Sequence, residues 1–171
     1  MLKIISNLPK FDDQKISNIF KNCCDIVSNN KSQSLEAEMI IEAIKNEWKK
    51  RLTMALSGKY KADRPEIGML SYLGYHVGQE GESLKKRRFI LDFIINEELP
   101  LVQSPSYTAE WGDPKTKKRY LKTYKVIQFF IDKYTNYKQQ GYEKAIIEWN
   151  EDIDYLKKLY AVQFPKNISN L

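Results

Sequence analysis

A single histidine, His76, and two adjacent cysteines, Cys23 and Cys24, leave this chain little material for metal or nucleophilic chemistry. Zinc sites draw on three or four Cys and His ligands, so no metal or cofactor is expected. Neither cysteine sits in a recognisable nucleophile context with His76. Glycine is scarce, and no Walker loop, GxSxG or GxGxxG is present. No apolar run approaches the roughly 20 residues that span a bilayer. The opening MLKIISNLPKF is too short in its apolar part, and lacks the small-residue cleavage site, for a secretory signal. The expectation is a cytoplasmic, reducing setting with no membrane association and free thiols.

Catalytic carboxylates receive little support. Glu47-Trp48-Lys49 and Asp113-Pro114-Lys115 place an acid two residues before a lysine, as many nucleases do. That pattern also needs a β-sheet core and an upstream acid on a strand, and this chain offers helices. An enzyme lacking local motifs would be marked by a pocket enclosing His76 with Glu80, Glu82 or Asp113. With no catalytic motif found, the chain is not expected to be an enzyme.

What is present is helical periodicity and positive charge. The 171 residues are 42% apolar, enough to bury a core in one helical domain. Asp12 or Asp13 is placed to cap a first helix with Ile16, Ile19, Phe20, Cys23, Ile26 and Val27 at helical spacing. The polar run Ser28 to Ser32 reads as a loop. Ser34 is placed to cap a longer second helix with the stripe Leu35, Met39, Ala43, Ile44, Trp48, Leu52, Ala55 and Leu56, stopped by Gly58. Pro65 suits a first helical position, and a short helix from there would stop at Gly74. Tyr75-His76-Val77 would then be extended and Gly78 to Gly81 a turn, with a small β-hairpin around Gly74 to Gly81 as the alternative. Ser83 would cap a third helix ending before Pro100. Residues 101–114 read as a long connection with Pro105, Gly112 and Pro114 as breakers. A fourth helix spans about Thr116 to Gln139, and a fifth runs from beyond Gly141 until Pro165. The expected fold is all-α, a bundle of about five main helices: an N-terminal pair over residues 12–57, a glycine-rich segment and third helix over 58–100, and a C-terminal pair over 115–164.

The net charge is +6, which favours an anionic partner. Residues 115–138 hold eight cations and one acid, whereas 141–160 hold five acids and three lysines. Intramolecular complementarity and a working basic surface are both open on this pattern. The densest cationic run, Lys85-Lys86-Arg87-Arg88, follows a segment with four of the seven glycines, Gly68, Gly74, Gly78 and Gly81. The candidate phosphate contacts are Lys85, Lys86, Arg87 and Arg88 on the third helix, and Lys117, Lys118, Arg119, Lys122 and Lys125 on the fourth. Lys118, Lys122 and Lys125 fall on one helical stripe, with Tyr120, Tyr124, Tyr134 and Tyr137 interleaved, an arrangement that can bind single strands by stacking. Tyrosines on a helix also serve the core. Tyr72, Tyr75 and Trp111, in breaker-rich segments, are candidate partner-binding aromatics, although Trp111 also suits folding back onto the core.

Leu70-x-x-Leu73-Gly74-Tyr75, the turn with Gly78 and Gly81, and Leu84-x-x-Arg87-Arg88-x-Ile90-Leu91 together resemble the helix–extended–helix pattern of SAP-like and LEM-like modules. The resemblance covers residues 67–91. It departs from the pattern where Glu80 and Glu82 replace the usual small residue and lysine. It implies that the start of the second helix faces DNA phosphates. Gly74-Tyr75-x-Val77-Gly78 with Glu110-Trp111-Gly112-Asp113-Pro114 also resembles bacterial sequences of no named family, which implies no function. The expected function is non-enzymatic: a nucleic-acid-associated module that binds the phosphate backbone through a basic helical surface. The alternative is a helical protein-interaction module or an accessory subunit of a bacterial multiprotein complex.

Overall fold

A computed structural model describes residues 2–29, 32–60, 67–136 and 141–164, and every regular element among them is helical. The chain is all-α, as its periodicity predicts, with no hairpin between Gly74 and Gly81. Its elements are α1 (Leu2–Asn7), a 3-10 turn (Leu8–Lys10), α2 (Asp13–Ser28), α3 (Ser34–Leu56), α4 (Met69–Tyr72), α5 (Leu84–Asn96), α6 (Pro105–Glu110), α7 (Lys117–Asn136) and α8 (Glu143–Gln163). Expectations placed on Pro65, Tyr137, Lys138, Gln139, Pro165 and the final NISNL fall outside the described residues. The helices fall into two units. One comprises Met1–Tyr75 with Glu97–Glu110, the other His76–Asn96 with Trp111–Leu171.

The first unit is built on α2 and α3. Asp12 caps α2 by accepting the Lys15 N–H at 2.6 Å, which satisfies one of the orphan donors of the first turn. Ile16, Phe20, Cys23 and Cys24 are buried on α2. Phe20 meets Trp48 of α3 with ring centroids 5.1 Å apart. Asp13, at the start of α2, meets Arg51, near the end of α3, so the two helices run antiparallel. The single turn α4 is tied in at both ends of Tyr72. Its carbonyl accepts the Ser17 hydroxyl and its own hydroxyl donates to the Asp13 carbonyl, each at 2.8 Å.

Arg51 is the polar centre of this unit, only 3% exposed. Its guanidinium donates to Asp13 at 2.6 Å, Glu47 at 2.8 Å and the Tyr60 hydroxyl at 2.9 Å. It also donates to the carbonyls of Leu8 and Phe11 at 3.0 and 2.7 Å. The 3-10 turn, α2 and α3 are thereby fixed to one side chain.

Three features differ from the sequence expectation. The first is α6, inside the stretch expected to be a connection. Pro105 is not a breaker there but the first helical residue, where its missing N–H costs nothing. The Ser104 hydroxyl accepts the Tyr107 N–H at 3.1 Å as the cap. The second is α1 with its 3-10 turn, which carries no cap signal. The third is the face of α3. Its buried residues are Ala37, Ile40, Ile41, Ile44, Trp48 and Arg51, so the helix is rotated away from the expected stripe. Leu35 is 70% exposed, Met39 46% and Leu56 68%. The adjacent pair Ile40-Ile41 with Trp48 outweighs the smaller apolar set on the other face.

The second unit packs α7 and α8 as an antiparallel aromatic pair, with α5 against both. Tyr120 meets Tyr160 at 4.4 Å, Phe130 stacks on Trp149 at 5.6 Å, and Tyr134 stacks on Tyr142 at 4.0 Å. The turn before α5 needs its glycines. Gly78 has φ of +94°, and its N–H donates to Glu148 of α8 at 2.7 Å. A Cβ on Gly81 would lie 2.6 Å from the Val77 backbone.

Truncating one partner of a buried, hydrogen-bonded ion pair leaves an uncompensated charge and costs about 3–5 kcal/mol. Arg51→Ala is expected to lower the unfolding free energy by that amount in urea titrations, because it strands both Asp13 and Glu47.

Candidate nucleic-acid interface

Both cationic segments lie in the second unit, and each begins a helix. Neither α5 nor α7 has an acidic residue in its first turn. Cations there oppose the positive end of the helix dipole, and the two helices deal with this differently.

On α5 the cations are divided among faces. Lys85 is exposed. Lys86 is buried and pairs with Glu82 at 2.9 Å. Arg87 is 2% exposed and aimed at α8. It donates to Asp152 at 2.8 Å and to Glu151 at 3.2 Å, while Glu148 lies 3.3 Å away. Its remaining nitrogen reaches the Glu82 carbonyl at 3.1 Å. Arg88 is half-buried, with its guanidinium 4.8 Å above the Tyr155 ring. The Tyr155 hydroxyl donates to both oxygens of Asp92, at 2.7 and 2.8 Å. Burial raises the Asp92 pKa above the ordinary carboxylate value, against the opposing effects of that hydrogen bond and of Arg88. The acidic character of α8 thus answers the cations of α5. Lys86 and Arg87 do not present their charges to solvent, and the phosphate-contacting set expected on this helix reduces to Lys85 with part of Arg88.

On α7 one cation turns inward and the rest do not. Arg119 is 2% exposed and is met by backbone carbonyls. It donates to Ile94 at 2.7 Å, at the end of α5, and to Trp111 and Gly112 at 3.2 and 3.1 Å. Arg119 is thereby a clamp and not a phosphate ligand. Lys117 is half-buried, Lys118 exposed, Lys122 half-buried and Lys125 exposed. At 100° per residue, Lys118, Lys122 and Lys125 fall within about 60° of one another around the helix. Phe129 continues this stripe one turn further, 59% exposed. It is the aromatic residue that the sequence reading passed over. Its signal was the spacing of four, seven and eleven from the three lysines.

The tyrosines expected to stack on bases are used otherwise. Tyr120 is fully buried and its hydroxyl has no hydrogen-bond partner among the described residues. Tyr134 is committed to Tyr142 and Trp149, and Tyr124 packs beside Tyr120. The candidate partner-binding aromatics also lie inside: Tyr72 is 1% exposed, Tyr75 5% and Trp111 0%. None of the three offers an anchor to an outside partner.

Lys115 precedes the stripe in a left-handed conformation, φ +60°, which costs a residue with a Cβ about 1–2 kcal/mol. Its N–H donates to the Ile95 carbonyl at 2.8 Å. Lys115 and Arg119 thus both fasten the start of α7 to the C-terminal end of α5. Lys85 stands at the other end of α5, nine residues before Ile94, about 14 Å along the axis.

Among the described residues, no group of three or more His, Cys, Asp or Glu is placed to hold a metal ion, and no helix is long and apolar enough to cross a membrane. Burial pushes the Cys23 thiol up to about 11, so it stays protonated near neutral pH and is a poor nucleophile. His76 is exposed on the turn before α5. No protein-family model, no curated protein and no solved structure matches the chain.

Burial raises the pKa of Tyr72 and Tyr120 above the ordinary tyrosine value of 10.0. A group with a raised folded-state pKa stabilises the fold fully below its unfolded value and loses that contribution as pH rises. Unfolding free energy is therefore expected to fall above pH 10, by up to about 1.4 kcal/mol per pH unit for each of these tyrosines. Urea titrations between pH 9 and 11.5 check this, and Tyr120→Phe is expected to flatten the alkaline slope.

Proposed function

We propose that this protein is a non-enzymatic nucleic-acid-binding module that holds the phosphate backbone along α7. The observation carrying the reading is the stripe of Lys118 and Lys125, exposed, with the half-buried Lys122 between them, continued by the exposed Phe129. Three cations at one-turn intervals match a polyanion's repeating charge, and an exposed ring at the end of the row suits stacking on an unpaired base. Lys115 and Lys117 extend the positive field at the start of the helix. The strained Lys115 backbone also favours the reading, since such conformations persist where the surroundings over-determine them and cluster at functional sites. Contacts of this type position a backbone without reading sequence, so weak sequence preference belongs to the proposal. The SAP-like resemblance of residues 67–91 would add Lys85 as a separate phosphate contact.

The test is titration of a single strand and of a duplex against the protein at several salt concentrations. Affinity is expected to fall steeply with salt. Lys118→Ala, Lys122→Ala and Lys125→Ala should each lower the salt slope by about 1. Phe129→Ala should weaken single-strand binding by about 1–3 kcal/mol and duplex binding by less. Failure of both nucleic acids to bind at about 50 mM salt would end the proposal, because backbone-driven binding is strongest there.

A further inference from the structure

The uncovered face of α3 has a regularity that its packing within the first unit does not use. Leu35, Met39, Glu42, Asn46, Lys49, Thr53 and Leu56 follow one another at alternating spacings of four and three. All seven are exposed. This is the hydrophobic-seam spacing of a coiled coil, with a polar Asn at its centre, a device that sets register. The seam is about 32 Å long at 1.5 Å per residue. Its apolar members stand at the two ends, its acid in the N-terminal half and its lysine in the C-terminal half. Lys50 is exposed beside the seam.

We propose that this face pairs with the same face of a second copy, antiparallel about a two-fold axis near Asn46. A two-fold interface must be self-complementary, and antiparallel pairing meets that condition. Leu35 and Met39 of one copy then lie against Thr53 and Leu56 of the other. Glu42 lies opposite Lys49 and Lys50. A parallel pairing would set Glu42 against Glu42 and Lys49 against Lys49, at a cost in like-charge repulsion. Glu42 is held in place by Lys45 at 2.5 Å, which Glu97 also contacts at 2.7 Å. Lys49 lies 4.0 Å from Glu98, a contact long enough to yield to a partner's carboxylate. Beside Asn46 and Lys50, a shallow groove of about 310 Å³, floored by Ile5, Leu8, Pro9 and Ala43, widens the surface available at the axis.

With only three apolar residues per copy, the pairing is weak and reversible, in the micromolar range. Sedimentation equilibrium from about 1 to 500 µM tests it. The wild-type chain should pass from monomer to dimer over that range. Glu42→Lys alone, and Lys49→Glu with Lys50→Glu, should each raise the dissociation constant at least tenfold. The three changes together should restore dimerisation to within a fewfold of wild type, because the opposed charges are then exchanged. Leu35→Asp with Met39→Asp should give monomer throughout, with unchanged helical circular dichroism. A wild-type chain monomeric at 500 µM overturns the proposal, as does a dimer indifferent to the Leu35 and Met39 changes. Failure of the combined charge exchange to recover pairing overturns the antiparallel arrangement.

Discussion

A guanidinium taken out of water must find acceptors for five N–H donors, and this requirement organises both units. Arg51, Arg87 and Arg119 are each 2–3% exposed. An unpaired charge at such a depth would cost several kcal/mol, so the chain is shaped to bring acceptors to each. Arg51 draws Asp13, Glu47, Tyr60 and two carbonyls from around the start of α2. Arg87 draws the acidic middle of α8 to the start of α5. Arg119 draws the carbonyls of Ile94, Trp111 and Gly112. The planar fork suits this use, since one side chain joins several strands of backbone that no lysine could hold with the same geometry.

The same requirement decides which charges remain available. A run such as Lys85-Lys86-Arg87-Arg88 looks like one site when written as a line, but successive residues on a helix point 100° apart. Only Lys85 of that run is exposed; Arg87 is spent on structure. The less dense spacing on α7 leaves more cation at the surface, because residues separated by four and three share a face. Charge density along a sequence is thus a poor guide to charge density on a surface. The useful quantity is the number of cations per helical face after those bound inside are removed.

The all-α class and the five longer helices were legible because α2, α3, α5, α7 and α8 carry strong periodicity with stop signals such as Gly58 and Gly141, both left-handed. Misread elements had signals of opposite meaning. Ser104-Pro105 begins a helix, although Pro105 in a polar stretch resembles a break. Leu35 and Met39 sit at helical spacing, but so do Ile40, Ile41, Ile44 and Trp48, and periodicity alone does not say which set the rest of the chain will cover. The candidate interface was half legible. The lysine stripe could be read from spacing, whereas the withdrawal of Arg87 and Arg119 depends on acceptors distant in sequence, among them Asp152 and the Ile94 carbonyl. Phe129 was hidden among aromatic neighbours that serve the core, with Phe130 stacked on Trp149 one residue away.

Helix electrostatics separate the two surfaces by kind. α3 follows the dipole rule at its start, with Glu36 in the first turn, and its seam carries Glu42 in the N-terminal half and Lys49 in the C-terminal half. A helix with such a gradient is complementary to its own reverse, and antiparallel association therefore asks for no departure from local stability. α7 breaks the rule, opening with Lys117, Lys118 and Arg119. α5 breaks it too, but the acids of α8 answer there, and the conflict is settled inside the unit. On α7 Arg119 is satisfied by carbonyls, while Lys118 and Lys125 stay at the surface. Sites where a local rule is broken are where function is expected to reside. An anion bound along α7 would meet exposed cations on one helical face, which is the physical reason for favouring that helix over the denser cation run on α5.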